Sequence, residues 1–457
     1  MRLSRRMLVL VAAGCSNTVA AAAQATGFHG VNPVPGKAPG TAVPLMPGGG
    51  LKAVVLAQGS TRLEAATSAN PYYGYDGDGP MVPAPGDVPS DGHLVEATKT
   101  EPDKNTYLVL HGQTGPAAGY DYGSHFLFQG HEAGSPGILT RINLDADPVH
   151  RVTLMASRDV HGAPLPPFDG STWDPFAHRL LLTTEDPDVP GVFQATVGYP
   201  SVVRDLDGVL GRGGYEGVQV DPLGRLWLVE DQSGDTGTVN ANAKQPNSFL
   251  CRFIPTDPAN LTAGGTLQAL QVISLRSGDP IVFHDGQADA DITSPDVRDL
   301  HTYGTVFWTR WVTVHDTGED GTASFDANAL AKAARATPFK RPENGVFAPG
   351  SRFRAFVFTE TGDTNADSEA GGRLRRSGHT PADPGGLRGP GRLGHHGLCA
   401  QRARRVPERG GQRDHGDPRV RRRPVCGGTA RRRRAAAVPG DALACVPHGT
   451  ARRQRHL

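Results

Sequence analysis

From about Leu51 onward the chain alternates short apolar runs with clusters of turn-forming residues. Tyr107-Leu108-Val109-Leu110, Leu180-Leu181-Leu182-Thr183, Leu226-Trp227-Leu228-Val229, Trp311-Val312-Thr313-Val314 and Phe356-Val357-Phe358-Thr359 are the clearest runs. Each is bounded by Gly, Asp or Pro, a pattern that predicts strands. Phe126-Leu127-Phe128-Gln129-Gly130 reads the same way, whereas the best helical pattern, Asn328 to Arg335, is short and fits a loop insertion. The spacing adds a second signal. Leu180 to Leu226 is 46 residues and Trp311 to Phe356 is 45, while Tyr107 to Leu180 and Leu226 to Trp311 are 73 and 85. A period of about 40 to 50 residues carrying four short strands is that of a β-propeller blade. The expected fold is therefore all-β, a six-bladed β-propeller-like domain over residues 51–372, with a β-sandwich pair or a β-helix left open.

Composition narrows this picture. Among 457 residues there are 59 Gly and 38 Pro, too much turn punctuation for a helical bundle or coiled coil. No apolar run beyond the N-terminus reaches the roughly 18 residues needed to span a bilayer, so no membrane span is expected. The net charge of +1 is an average over two unlike pieces. Met1 to Ala370 holds 26 Lys plus Arg against 41 acids, and Gly371 to Leu457 holds 21 Arg, no Lys and 5 acids. The second piece also has no Phe, Tyr, Trp, Ile, Met or Asn, so residues 373–457 are expected to be a disordered Arg-rich tail. Three readings of the tail stand: a basic arm for an anionic surface or nucleic acid, a solvated tail, and a GC-rich gene read out of frame. Losing every AT-rich codon at once favours the last.

Residues 1–25 read as an export signal, with Arg2, Arg5 and Arg6, an apolar stretch from Met7 to Ala13, and a small-x-small site at Ala23-Gln24-Ala25. Ser4-Arg5-Arg6-Met7-Leu8-Val9 also resembles a twin-arginine signal, and the twin-arginine and Sec routes both remain open. Ala12 before Gly14-Cys15 is a poor match for lipoprotein anchoring. Residues 26–50 form a Pro/Gly-rich leader. Outside the signal and the tail only Cys251 remains, which excludes a disulfide framework and reads as a buried structural thiol.

The chemical signal follows the runs. Leu182-Thr183-Thr184 leads into Glu185-Asp186, Leu228-Val229 into Glu230-Asp231, Val312-Thr313-Val314 into His315-Asp316, and Val357-Phe358-Thr359 into Glu360 and Asp363. In a propeller, equivalent strand ends converge on one channel. Crowded carboxylates repel there unless a raised pKa or a bound cation relieves them. Several hard oxygen ligands suit Ca²⁺. Asp is equally at home as a turn former, but Glu is not, and Glu185, Glu230 and Glu360 recur. His131-Glu132 follows another strand-like lead-in. Glu216 sits among small neighbours in Gly213-Gly214-Tyr215-Glu216-Gly217. Arg341 and Glu343 share a face if extended, as do Asp289 and Asp291, whose loop context favours solvation.

Taken in order, Gly130-His131-Glu132, Leu182-Thr183-Thr184-Glu185-Asp186, Tyr215-Glu216-Gly217-Val218, Leu228-Val229-Glu230-Asp231, Phe249-Leu250-Cys251-Arg252-Phe253 and Arg341-Pro342-Glu343 resemble the PhoX family of exported phosphatases. The resemblance covers about Tyr107 to Gly372. It implies a six-bladed propeller with Ca²⁺ and Fe³⁺ in its channel, hydrolysing phosphate monoesters of small substrates. By matching motif Glu185, Glu216, Glu230 and Glu343 would be metal ligands, with Asp231 beside them from the carboxylate pattern, and Arg341 would hold the phosphate. Two departures stand out. Pro167-Phe168-Asp169-Gly170 lacks the family's iron-binding cysteine, which puts Fe³⁺ but not Ca²⁺ in doubt. No Asn follows Asn365, so the family's late Asp-Asn motif is missing and the last blade is expected to be incomplete, with activity lost as a result. The expected function is thus an exported metal-dependent phosphatase, a monomer with no nucleic-acid partner. The alternative is a non-enzymatic exported calcium-binding propeller.

Overall fold

The computed structural model describes residues 54–75, 99–134, 136–239, 243–302 and 304–362, with strand segments at 397–402 and 441–445. Everything below belongs to the unit Leu56–Leu457. The segments expected as export signal and leader, Asp363 and most of the tail lie outside the described residues.

Antiparallel sheets dominate. The first is β1 (Pro102–Val109), β2 (His125–His131), β3 (Leu139–Asn143) and β4 (Val152–Ala156), paired in that order. The second repeats the plan with β5 (Ser171–Asp174), β6 (Arg179–Thr183), β7 (Val192–Ala195) and β8 (Val203–Asp205). The third unit opens with β9 (Tyr215–Val220) and β10 (Leu226–Glu230), carries a hairpin of β11 (Ser233–Thr236) and β12 (Lys244–Pro246), and continues with β13 (Leu250–Pro255) and β14 (Gly265–Val272). After β15 (Val306–Asp316) come β16 (Pro342–Phe347), β17 (Ala355–Glu360), β18 (Gly397–Arg402) and β19 (Asp441–Cys445). These last strands join the third unit in one nine-stranded sheet ordered β16-β17-β18-β19-β15-β14-β13-β10-β9. The first strands β1, β5, β9 and β16 are neighbours in that order.

Side chains alternate along a strand, so one run can serve two cores. Leu180 and Leu182 pack with Phe126, Phe128 and Leu139 of the first sheet, whereas Leu181 between them packs with Val218, Leu226 and Leu228 of the third. Trp227 and Val229 turn the other way, onto Phe356 and Phe358 of β17. Second strands covered on both faces read as unbroken apolar runs, which is why the sequence showed them plainly. Residues 56–75 cover one side of the first sheet, where Leu63 and Tyr73 pack with Ile138, Ile142, Val152 and Leu154.

Each expected run is a strand, but not always the expected one. Leu180 and Leu226 both lie on second strands, so their interval joins equivalent positions. Tyr107 lies on the first strand β1, and Trp311 on β15, which pairs with β14 at one end and β19 at the other. An apolar run carries no mark of its place within a sheet. The expected helix runs from Ala327 to Ala333, where Asp326 accepts a hydrogen bond from the Ala329 amide at 2.8 Å as N-cap. Asp289 and Asp291 lie on a helix, Ala288–Ile292, where Asp289 is half-buried and accepts from the Thr238 amide at 2.7 Å. Asp291 is buried, 2.6 Å from His284 Nδ1 and accepting from the Gln245 amide. Within residues 373–457 the described segments β18 and β19 pair through their backbones with β17 and β15. Such pairing demands no large apolar side chain.

Because Leu181 is fully buried between the second and third sheets, Leu181→Ala should destabilise the protein by about 2–5 kcal/mol in urea denaturation. A loss below about 1 kcal/mol would show that the two sheets do not depend on this contact.

Candidate metal centre

The first turn of each inner strand and the residue after each second strand meet in one acidic group. β1 supplies Asp103 and Lys104, the approach to β5 supplies Asp169, β9 supplies Glu216, and β16 supplies Glu343 and Asn344. Glu132 follows β2, Glu185 lies just beyond β6, Asp231 follows β10 and Thr361 follows β17. The backbone repeats too: the amides of Glu132, Asp231 and Thr361 donate to the carbonyls of Glu101, Gly214 and Arg341, each just ahead of a first strand or at its foot.

Two overlapping sets of carboxylates can offer oxygens within 4.8 Å of one another: Asp103, Glu132 and Asp169, and then Asp169, Glu185 and Glu216. Asp169 is common to both. It is 3% exposed, and among the described residues its Oδ2 has no hydrogen-bond partner. Asp103 Oδ2, Asn344 Oδ1 and Lys104 Nζ are likewise buried without a hydrogen-bond partner. Buried polar atoms in folded proteins are normally paired, so four orphans in one place need an explanation. Three of them are oxygens, and a hard cation takes such oxygens as ligands.

Electrostatics agree. Burial pushes the Asp169 carboxyl far above its usual range, and the nearby Glu216, Asp103 and Glu185 push it further. Burial also raises Glu216, with Glu185 adding to the rise and Lys104 opposing it. Glu132 is raised by burial and then by Glu185, Asp103, Glu101 and Glu343. Lys104 is lowered by burial, although Glu216, Asp103, Asp169 and Glu343 all favour its charged form. The group is thus short of positive charge.

Hydrogen bonds hold the rim. Asn344 Nδ2 donates to Glu216 Oε1 at 2.9 Å, and the Thr361 hydroxyl donates to Glu343. Arg341 grips Asp231, with Nε–H to Oδ1 at 2.5 Å and a second nitrogen to Oδ2 at 3.3 Å. Burial lifts Asp231 to about 6 against the opposing pull of Arg341. Arg341 has φ of 53°, a left-handed conformation uncommon outside glycine, rather than the extended one expected for it. Close strand approach rests on two glycines. A Cβ at Gly170 would lie 2.4 Å from the Glu216 carbonyl oxygen, and one at Gly217 would lie 2.9 Å from Asn344 Oδ1.

The structure brings Glu185 and Glu216 together, with Asp231, Arg341 and Glu343 around them. It does not bring Glu230. That side chain is buried between sheets, accepting from the Phe249 amide at 2.8 Å and from Asn328 Nδ2 at 3.0 Å. Burial pushes Glu230 up to about 8 despite these donors. Glu360 has the same kind of post, accepting from the Lys340 amide at 2.8 Å beside His301 at 3.0 Å. His131, also buried, lies between the Thr100 and Thr140 hydroxyls, and burial lowers its pKa to about 3. Asp186 and Asp316 are turn formers that accept from the amides of Asp188 and Gly318. Cys251 is a buried free thiol whose pKa burial drives well above the usual range, near Glu230 rather than the acidic group. Asp103, Lys104, Asp169 and Asn344 are members that the sequence pattern did not single out. Asp169 stands in Pro167-Phe168-Asp169-Gly170, where an Asp before a Gly reads as a turn former.

A scan against protein-family models finds no match for this chain, and a search of the curated proteins finds none either.

Two measurements follow from the geometry. Glu216→Gln should lower Ca²⁺ affinity at least about tenfold by calorimetry, whereas Glu230→Gln should leave it within about twofold. Without metal, carboxyls whose native pKa is raised hold protons that the unfolded chain gives up. Stability should therefore be highest below about pH 4, near the unfolded carboxyl pKa, and should fall as pH rises through the native values of Asp169 and Glu216. Thermal melts from pH 4 to 9, with and without Ca²⁺, check this: added Ca²⁺ should remove the loss at high pH.

Proposed function

We propose that this chain is a metal-dependent phosphomonoesterase built as a β-propeller of the PhoX type, its acidic group holding Ca²⁺. The observation that carries the reading is the meeting of carboxylates from separate sheets around Asp169, with two cationic side chains, Lys104 and Arg341, beside them. The four-stranded units, with first strands adjacent in chain order, support blades arranged about a common axis, and six such units is the proposed closed form. The donor set is carboxylate and amide oxygen, which fits calcium. Among the described residues it includes no thiol, since Cys251 is in the core, so the set does not fit a thiolate-bound iron. Glu185, Glu216 and Asp169 would hold one cation, and Asp103 and Glu132 would extend the site through Asp169.

When bound, calcium supplies the positive charge that phosphate oxygens require. The chain's own groups have separate parts. Lys104, desolvated among acids, is placed to attract a phosphate that approaches the group. Asp231 orients the Arg341 guanidinium, whose planar fork suits phosphate oxygens. Thr361 fixes Glu343, and Asn344 fixes Glu216, so that neither carboxylate swings away from the centre. An export signal in residues 1–25, as the sequence pattern suggests, would put the reaction outside the cytoplasm.

A non-enzymatic calcium-binding module is the second reading. It is favoured by the Arg341–Asp231 pair, because a guanidinium already gripped by a carboxylate has less to give a substrate.

The test is hydrolysis of p-nitrophenyl phosphate by the full chain after loading with Ca²⁺. Turnover should disappear on chelation, return with Ca²⁺, and fall by about two orders of magnitude or more in Glu216→Gln. Undiminished turnover after exhaustive chelation would reject the proposal. Saturable Ca²⁺ binding without turnover would select the second reading.

A further inference from the structure

The second sheet bears a cleft at the end opposite the acidic group. β6 runs from Arg179 toward Thr183 and so toward Glu185, which leaves Arg179 at the far end. The register carries the same direction across the sheet. Gln194 pairs with Leu181 on one side and Arg204 on the other, while the Val202 carbonyl receives the Thr196 amide. Alternation then puts Arg179, Gln194, Thr196, Val202 and Arg204 on one face, the face on which Leu181 and Val192 enter the core. Where that apolar core ends, the face opens into a cavity of about 390 Å³.

The facing wall is the connection from β13 to β14, which contributes Asn260 and Thr262. Leu261 between them is buried in the same core cluster and anchors this wall. The Thr262 hydroxyl donates to Asn260 Oδ1 at 2.7 Å, leaving the Asn260 amide nitrogen as a donor. One guanidinium nitrogen of Arg179 donates to the His178 carbonyl at 2.9 Å, which restrains the side chain and leaves its other N–H groups available. Two guanidinium groups, two side-chain amides and two threonine hydroxyls thus line the cleft, with no carboxylate among the described residues that form it. Asp205 on β8 alternates to the other face, and Asp257 is turned into its own loop, accepting from the Ala259 amide.

We propose that this cleft binds a small organic anion on a hydroxylated carbon frame, independently of the acidic group. Two arginines with no competing acid recognise an oxyanion, carboxylate or phosphate, by forked hydrogen bonds. The amides and hydroxyls around them match the hydroxyls of the frame, and the volume lies within the range of small-ligand sites, about 300–1,000 Å³. The apolar side chains of Ala177, Val202 and Ala259 give the carbon face a surface to lie on.

Calorimetry on the full chain stripped of metal by chelation, so that the acidic group lacks the cation that would draw a phosphate, decides it, using glucose 6-phosphate, gluconate and neutral glucose as probes, each with the parent protein and with Glu216→Gln. At least one of the two anions should bind saturably in the millimolar range or tighter, more strongly than glucose, and equally in Glu216→Gln. Which anion binds distinguishes a phosphate-ester site from a carboxylate site. Arg204 is exposed on the edge strand β8, so Arg204→Gln leaves the core untouched and should weaken binding at least about tenfold, as should Arg179→Gln. Failure of both anions to bind, glucose binding as well as they do, parent-like affinity in Arg204→Gln, or loss of binding in Glu216→Gln would overturn the proposal.

Discussion

Carboxylates drawn from separate sheets are pressed into one desolvated place, and their mutual repulsion is the constraint around which this structure is arranged. Asp169 lies at its centre, 3% exposed, with an oxygen that no donor among the described residues reaches. Charges of like sign inside a protein cannot all be ionised without compensation, and among the described residues Lys104 is the ammonium within the group. Protonation relieves the repulsion without a ligand; a divalent cation relieves it with one. What stops the acids from moving apart is the packing behind them. Leu181 and Leu182 drive into opposite cores, so β6 cannot shift to carry Glu185 outward without opening one of them.

A division of labour one residue wide runs through the units. In three of the second strands the last side chain turns down and is buried, and the next turns up to the centre. His131, Glu230 and Glu360 are the buried members; Glu132, Asp231 and Thr361 are their successors. The buried glutamates accept backbone amides, from Phe249 and from Lys340, and so tie the second strand to a neighbouring segment. Burying a carboxyl is costly unless donors meet it, and Asn328 from the short helix Ala327–Ala333 meets Glu230. The acid-after-strand pattern is thus a mixture of structural buttresses and central ligands. The two ends of the second sheet also differ in sign, with acids at the end of β6 that reaches Glu185 and arginines at the end that starts at Arg179.

Much of this architecture was legible from residue order. The apolar runs at Leu180 and Leu226 are strands with both faces covered, which leaves an unbroken hydrophobic signature, whereas the run at Phe356 alternates between buried and half-buried positions. Glu185 and Glu216 were found because an acid after an apolar run, or among glycines, is uncommon. Asp169 escaped because nothing local distinguishes an Asp before a Gly from a turn former. Lys104 escaped because a lysine on a strand reads as solvated until three other strands close over it.

Sequence alone therefore determined the all-β class, the strands at the apolar runs and the charge division between body and tail, since each depends on local periodicity or composition. Only the tertiary structure decided which acids face the centre and which lie buried beneath it, because a shift of one residue along a strand reverses a side chain's direction. It also placed Arg341 on Asp231 and gathered Arg179 and Arg204 into one cleft. Those pairings join residues that are distant in the chain, and they arise from how sheets abut, which no local pattern records.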